Sequence, residues 1–289
     1  MFLMNKQKSF TLIELLVVIV IIGILAGVII VSVSSSISKA SIAKLKVSEN
    51  NIQSELGANM VSRWKLDETI GTTTPDAWGI NTGNLINGPT LKDENECVSG
   101  NCLAFNGTNY ISCGDLSSYI GKNNITFSIW VKPLVSGVDG ASTYTFRAFM
   151  GKGGAGASGD LHVGYRADNR VRVYYENLST GSYIDSVDPI SLNEWSYVVV
   201  STDSSKISLY IDGKFITSKS LATNFVINNM QIGYCPHATY FNGLIDDVRI
   251  YNGALSSAQI KQQYVSGLDS LYSKGIISES EFNDRISGK

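Results

Sequence analysis

The chain has 289 residues, with 23 basic and 25 acidic side chains and a formal net charge of −2 at pH 7. This length suits one large or two small domains. The nearly balanced charge argues against a nucleic-acid partner held by electrostatics.

The first feature along the chain is an apolar run, SFTLIELLVVIVIIGILAGVIIVSV, from Ser9 to Val33. No residue from Leu15 to Ser38 carries a formal charge. At about 1.5 Å of rise per residue, a helix of that length crosses the roughly 30 Å hydrocarbon layer of a membrane. Glu14 stands at the edge of the run, where a carboxylate costs a few kcal/mol unless it has a partner. The pattern predicts a span over about 15–38 and a partner for Glu14.

The residues before the run complete a recognisable pattern. A short leader, MFLMNKQKS, carries Lys6 and Lys8, and FTLIE follows it with glutamate in fifth place. This resembles the N-terminus of type IV pilins and type II secretion pseudopilins, although Ser9 stands where that family has glycine. The resemblance implies that a prepilin-type peptidase cuts between Ser9 and Phe10, that the new N-terminus is methylated, and that Glu14 serves assembly with other pilin-like subunits. It places the chain as a single-pass cytoplasmic membrane protein whose C-terminal domain is outside, in a surface filament after assembly.

Two alternatives are a secretory signal and an uncut membrane tether. The run is longer than the apolar core of about 7–15 residues that a signal peptide has. An uncut tether has no use for Glu14. Apolar residues at helical spacing continue to Met60, which predicts one long helix from about Thr11 to Met60, amphipathic in its second half.

From Val61 the hydrophobic period changes to two, as in strands. In ITFSIWVKP, the residues Ile125, Phe127, Ile129 and Val131 fall on one face, and Asp212-Gly213 between two later strands is a hairpin signal. Turn signals at short intervals without a helical stripe predict an antiparallel β-sandwich.

Six blocks of this region occur in the order of a known family. They are WKLDETIGTTTPDAWG, CLAFNGTNYISCG, ITFSIWVKP, NEWSYVVVS, ISLYIDGK and FNGLIDDVRIYNGALSSAQI. Together they resemble the concanavalin A-like, laminin-G-like jelly-roll family over about 61–266. The resemblance implies two antiparallel sheets and frequent binding of a glycan or a protein, sometimes with calcium.

The C-terminal region contains sequence patterns that are typical of helix N-termini. Ser256 with Gln259 forms a capping box that opens a closing helix, and Ser278 with Glu281 repeats the pattern. These patterns predict that residues 267–289 form a helical hairpin tail. Either oligomerisation or packing against the sandwich would explain it.

All four cysteines lie beyond the membrane segment, and an even count on the exported side indicates disulfides. Four cysteines allow three connectivities. The hypothesis is that Cys97 pairs with Cys102 and that Cys113 pairs with Cys235.

The spacing of the carboxylates bears on whether the domain is a catalyst. Glycan hydrolases of the resembling fold use two carboxylates on one strand, in a Glu-x-Asp-x-x-Glu arrangement that places acid and nucleophile in the same cleft. No glutamate between Val61 and Ser266 has an aspartate two residues on. The sequence therefore predicts that the domain is not an enzyme.

Ligand candidates follow from the resemblance and from residue chemistry. Asp67 and Asp247 match acidic positions that approach calcium in similar domains, with solvated turn carboxylates as the alternative. Flat aromatic side chains can stack on sugar rings, although the same residues also serve β cores, as Trp64, Trp130 and Trp195 are expected to do. The sugar-binding candidates are Trp78, Tyr144, Tyr174, Tyr175, Tyr183 and Tyr240.

These observations predict a pilin-like filament or pseudopilin subunit that displays a lectin-like domain for adhesion to a glycan or surface protein. The alternative is a membrane-tethered protein that binds or degrades glycans without assembling.

Overall fold

The computed structural model describes residues 12–25, 56–68, 71–118, 124–139, 146–152, 161–175, 182–221, 228–236 and 238–288. It contains two compact units, Met1–Asn50 and Asn51–Lys289. Ser9 and Phe10, at the expected cleavage point, lie outside the described residues.

Helix α1 covers residues 12–25 of the first unit. Every large apolar side chain on it is at least 43% exposed, so the helix presents an apolar surface all round. Such a surface is typical of a segment that lies in lipid or against other helices. None of the described helices combines the length and hydropathy that a membrane span requires. Of the predicted helix from Thr11 to Met60, residues 12–25 and 56–59 are helical and Met60 belongs to the first strand, while Thr11 and residues 26–55 lie outside the described residues.

The second unit is a sandwich of two eight-stranded sheets with antiparallel strand pairs. The first sheet has the order β14-β13-β12-β7-β16-β5-β4, and β1 pairs with the second half of β16. The second sheet has the order β11-β10-β9-β8-β15-β6-β3-β2. The strands are β1 Met60–Trp64, β2 Thr73–Thr74, β3 Gly83–Ile86, β4 Thr90–Lys92, β5 Cys102–Asn106, β6 Tyr110–Gly114, β7 Ile125–Pro133, β8 Arg147–Lys152, β9 Leu161–Tyr165, β10 Arg170–Tyr175, β11 Ser182–Pro189, β12 Ser196–Thr202, β13 Lys206–Ile211, β14 Lys214–Ser220, β15 Met230–Ile232 and β16 Asn242–Tyr251.

The main core lies between the two sheets and follows the predicted alternation. Strand β7 contributes Ile125, Phe127, Ile129 and Val131 to it. Trp130 points the other way and is nevertheless only 2% exposed, because the outer face of this sheet is also covered. The predicted hairpin is confirmed: β13 pairs with β14 around Asp212 and Gly213, both at positive φ.

The cover on that outer face is the C-terminal pair of helices, α2 Ser257–Ser273 and α3 Glu279–Ser287. The Trp130 ring stacks on Tyr264 of α2 with 5.8 Å between centroids. Gln263 of α2 accepts hydrogen bonds from the Tyr197 and Tyr251 hydroxyls of the sheet at 2.8 and 3.1 Å. The helices therefore pack on the sandwich, which is one of the two roles expected for the tail, and a role in oligomerisation stays a prediction.

The predicted capping box at Ser256 and Gln259 is present. The expected boundary at Gly267 is wrong, because α2 runs through it without a break. Gly267 is a packing position instead: a Cβ there would lie 2.3 Å from the Trp130 ring. The missing side chain lets the helix approach the sheet closely.

One of the two predicted disulfides forms. Cys97 and Cys102 are bonded, with their Cα atoms 5.5 Å apart. The pairing of Cys113 with Cys235 is wrong, because the two side chains lie on opposite faces of one sheet. Cys113 belongs to the main core, whereas Cys235 packs with Phe146 and Tyr174 in a small cluster on the outer face.

Candidate functional site

Asp247, one of the two predicted calcium ligands, lies in β16 between two arginines. Its Oδ1 accepts hydrogen bonds from the Nε atoms of Arg63 at 2.7 Å and Arg249 at 3.1 Å, and its Oδ2 accepts from Nη2 of Arg249. Burial opposes ionisation, but the two guanidiniums outweigh it and hold the pKa of Asp247 below its usual value. Both carboxylate oxygens are therefore engaged in ion pairs within the fold.

The other predicted ligand, Asp67, supports the disulfide loop. Its Oδ1 accepts a hydrogen bond from the Asn101 amide at 2.9 Å. Asp246 accepts one from the Ser99 amide at the same distance, and burial together with the nearby Asp247 charge raises the pKa of Asp246 well above its usual value. Within the described part of the chain, three or more His, Cys, Asp or Glu side chains nowhere converge to hold a metal ion. Calcium binding at Asp67 and Asp247 stays a prediction.

Lys274, which follows the last residue of α2, binds the backbone of the same loop. The Lys274 ammonium donates to the backbone carbonyls of Glu94, Cys97 and Gly100 at 3.0, 3.1 and 3.3 Å. A side-chain cation thus occupies the point where three carbonyl oxygens converge, and this fixes the loop to α2.

Those predicted sugar-binding aromatics that the structure describes do not form one surface. Tyr174 is fully buried in the outer-face cluster, and Tyr175 belongs to the main core. Tyr183 is 40% exposed, but the Arg172 guanidinium lies 4.0 Å from its ring centroid. Trp78 is exposed on the loop between β2 and β3. Tyr144 lies outside the described residues, and the predicted core tryptophans are all buried.

Tyr240 does belong to an aromatic cluster. Its ring stacks on Tyr234 with 4.3 Å between centroids and a 17° interplanar angle. Tyr110 lies 5.5 Å from Tyr234 and 6.1 Å from Tyr240, centroid to centroid. All three side chains are partly exposed. We call these three residues the tyrosine triad.

Three separate segments of the chain bring the tyrosines of the triad together. Tyr110 begins β6, next to the core residue Ile111, so its side chain points to the outer face of the sheet. Tyr234 follows β15, the neighbour of β6, and Tyr240 precedes β16. Arg147 anchors the Tyr240 segment, donating from Nη1 to the Tyr240 carbonyl at 3.1 Å. Burial, followed by the neighbouring Tyr240, raises the pKa of Tyr234, so the hydroxyl stays protonated at neutral pH.

Polar side chains continue the outer face beside the triad. Ser112 lies two residues after Tyr110 on β6, and it pairs in register with Gln231 of β15 and Asn84 of β3. Each alternates with residues of the core, so all three point outward beside the tyrosines. Aromatic faces that stack on the C–H surface of a sugar, next to amide and hydroxyl groups, form the kind of surface that binds saccharides.

The sandwich and this surface define a lectin-like β-sandwich protein. The model of the concanavalin A-like lectin/glucanases superfamily matches residues 105–261, over half of the chain, so the chain belongs to this family. A prokaryotic N-terminal methylation motif matches residues 4–30. The pilin-like and lectin-like resemblances are thereby confirmed.

The curated relatives are distant. The chain is 28% identical over 153 residues to adhesion G-protein coupled receptor V1 of Danio rerio, covering 48% of this chain and 2% of that protein. It therefore spans only a small fraction of that relative's length.

Solved structures share the fold at low identity. Domain 4 of AbnA, a GH43 extracellular arabinanase from Geobacillus stearothermophilus solved with arabinotriose, is 19% identical, with coverage of 70% of this chain and 97% of that chain and a TM-score of 0.51. The binding domain of Paraclostridial Mosquitocidal Protein 1 is 16% identical, with coverage of 74% and 53% and a TM-score of 0.58. Trypanosoma rangeli sialidase with sialic acid is 20% identical, with coverage of 72% and 33% and a TM-score of 0.53.

These structures correct the prediction that the domain is not an enzyme. They include a domain of an arabinanase and a sialidase, so the fold does occur in glycan-degrading enzymes. A missing carboxylate pattern from one group of hydrolases does not exclude catalysis by another arrangement. The prediction was wrong in treating that one spacing as decisive.

Sequence reasoning missed two of the three triad residues. Tyr110 carries a local signal, because it alternates with Ile111 and Cys113 at the start of a strand and so must face outward. Tyr234 carries none, since its place beside Tyr110 depends on β15 lying next to β6.

Proposed function

We propose that this protein is a pilin-like subunit that assembles into a surface filament and displays a lectin-like sandwich for adhesion to glycans. The methylation motif and the exposed apolar helix α1 support the assembly half. The tyrosine triad supports the binding half, and it is the single observation that carries the proposal of a glycan ligand.

The assembly half rests on the chemistry of Glu14. After cleavage before Phe10, the new N-terminal amine and the Glu14 carboxylate would both lie at the edge of the apolar run, where opposite charges stabilise each other. Pairing between neighbouring subunits would satisfy both charges. The partners in this proposal are a prepilin-type peptidase, other pilin-like subunits and the membrane.

The binding half predicts weak binding at each single site. The three tyrosine side chains are partly exposed, and one sugar unit stacked on them would bury little area. Display of many copies along a filament would raise avidity without new contacts.

The test is glycan binding by the full chain in detergent micelles, measured on immobilised polysaccharides with and without calcium. Tyr234→Ala with Tyr240→Ala removes the stacked pair, and each such aromatic contact contributes about 1 kcal/mol. We expect a loss of affinity of about tenfold or more. Tyr183→Ala is the control, because that tyrosine is also open to solvent but lies under Arg172 and outside the tyrosine triad, and this variant should bind as the wild type does.

Unchanged binding by the double variant, with wild-type near-UV circular dichroism, would contradict the triad as the site. Release of reducing ends during the assay would place the protein with the tethered glycan-degrading alternative. Binding to a surface protein but to no glycan would retain adhesion and replace its ligand.

A further inference from the structure

The disulfide loop, residues 94–101, presents backbone carbonyls to the end of α2. The Lys274 ammonium donates to three of them, over distances from 3.0 to 3.3 Å. Ser270, one turn earlier, donates its hydroxyl to the Val98 carbonyl. The end of α2 is thus bonded to four carbonyls of one short loop.

The same loop also reaches α3, through Trp195. The Trp195 indole donates to the Glu96 carbonyl at 2.9 Å, and the Trp195 carbonyl accepts from Nη1 of Arg285 in α3 at 2.8 Å. Tyr272 of α2 stacks on Phe282 of α3, with 4.9 Å between ring centroids. The ends of the two helices therefore depend on each other and on the loop.

The first half of α2 is held by other contacts. Tyr264 stacks on Trp130, and Gln263 accepts hydrogen bonds from hydroxyls of the sheet. None of these contacts uses the disulfide loop. A change in the loop should therefore affect residues 268–287 more than residues 257–264.

The disulfide sets the shape of the loop. Cys97 and Cys102 are fully buried, and their bond closes the turn from which Cys97 and Gly100 present carbonyls to Lys274. One ammonium can bind these carbonyls together only while they converge on one point. Opening the bond frees the turn, so its ordering would cost additional conformational entropy.

We propose that oxidation of Cys97 and Cys102 is a redox switch that fixes the ends of α2 and α3 to the sandwich. In the oxidised state the loop binds Lys274, and in the reduced state residues 268–287 open more readily. Oxidation joins the two sulfurs, while two protons and two electrons pass to the disulfide of an exported thiol–disulfide oxidoreductase, which becomes a dithiol. Such oxidation takes place outside a reducing cytoplasm. The inference goes beyond the proposed function, because it needs neither the tyrosine triad nor a filament.

The first test is hydrogen–deuterium exchange of the full chain in detergent micelles, read by mass spectrometry. Cys97→Ala with Cys102→Ala removes the disulfide and adds no polar group at a buried position. Amides of residues 268–287 should exchange about tenfold or more faster than in the wild type, because hydrogen bonds to a charged group no longer oppose local opening. The acceleration should be smaller in β7, whose core amides report global unfolding.

Glu96→Gln is the matched control for this exchange experiment. It changes an exposed side chain of the same loop and leaves the backbone carbonyls in place. Exchange in residues 268–287 should then stay at the wild-type rate.

The second test uses Lys274→Met, because coupling between two sites is reciprocal. If the disulfide favours the docked helix ends, the docked helix ends favour the disulfide. In a buffer of reduced and oxidised dithiothreitol, the equilibrium ratio of reduced to oxidised Cys97–Cys102 should therefore rise about fivefold or more in this variant. Thiol alkylation and mass spectrometry of the peptide that contains both cysteines measure the ratio.

Three results would overturn the proposal. The first is wild-type exchange of residues 268–287 in the double alanine variant. The second is equal acceleration in those residues and in β7, because the disulfide would then act only on global stability. The third is a wild-type reduction ratio in Lys274→Met, because the loop and the helix end would then be uncoupled.

Discussion

Asp246 and Asp247 show how neighbouring residues of one type acquire opposite properties. A strand places successive side chains on opposite faces, but here a register shift interrupts the pairing of β16 with β7 between Asp246 and Arg249, and Asp247 takes a positive φ. Both carboxyls become buried. The pKa of Asp246 is raised by burial, whereas two arginines lower that of Asp247. Residue type alone could not have indicated this difference.

Asp247→Asn should destabilise the sandwich. The substitution leaves the Arg63 and Arg249 guanidiniums without the charge between them, and removing one partner of a buried ion pair costs about 3–5 kcal/mol. We expect the free energy of unfolding to fall by an amount near the lower end of this range, because both arginines are partly exposed. Thermal and denaturant unfolding of the solubilised full chain measure it.

Glu96→Gln is the control for that substitution. It removes the Lys92–Glu96 pair, in which both side chains are exposed. Exposed pairs contribute about 0–1 kcal/mol. Equal losses from the two substitutions would show that burial of Asp247 between the arginines has no special energetic role.

Asp246→Asn should stabilise the fold increasingly as the pH rises from 4 to 7. The folded-state pKa of Asp246 lies above the unfolded value of about 3.9, so the folded state retains the proton. The stability this group contributes is full below the unfolded pKa and is lost as the pH rises towards the folded pKa. Asparagine preserves an acceptor for the Ser99 amide and removes the titration.

The measurement is the difference in unfolding free energy between Asp246→Asn and the wild type at several pH values. Titration of Asp247 is common to both proteins and largely cancels in the difference. A difference that does not change with pH would contradict the assigned environment of Asp246.

At the scale of elements, local periodicity predicted the strands well. The alternation in β7, the hairpin at Asp212-Gly213 and the cap at Ser256 depend on residues close in sequence, and each is confirmed. The predicted pairing of Cys113 with Cys235 was wrong because it depends on which face of a sheet each residue occupies. The tyrosine triad depends on strand order. Neither property is encoded within a short stretch of sequence.

The boundary predicted before residue 267 was wrong for a related reason. Gly267 lies inside α2 and serves the contact of this helix with Trp130 across the chain, which no local pattern shows. Gly267→Ala should destabilise the protein by about 1–2 kcal/mol, because overpacking outweighs the better helix propensity of alanine. Thermal unfolding of the full chain gives the size of the effect.

Gly253→Ala provides the matched control, since the added Cβ would meet its nearest neighbour, Asn59, at an ordinary 3.6 Å. We expect a change within about 0.5 kcal/mol. A stabilising Gly267→Ala would show that the helix can shift away from the sheet without loss.

At the scale of the whole molecule, the chain joins a pilin-like N-terminal motif to a lectin-like sandwich. The two parts have separate physical roles in our proposal. The first gathers copies through an apolar helix and a charge at its edge, and the second presents aromatic and polar groups outward. The avidity of a filament would compensate for the weakness of one shallow site.

The most direct test of this account compares wild-type and Glu14→Ala cells by immunogold electron microscopy and by shearing, with antibody against the sandwich. The account predicts that wild-type protein labels filaments and appears in the sheared fraction. It predicts that Glu14→Ala protein still enters the membrane but stays there, because the N-terminal amine of the next subunit lacks its counter-charge. Recovery of Glu14→Ala protein in sheared filaments at the wild-type level would contradict it.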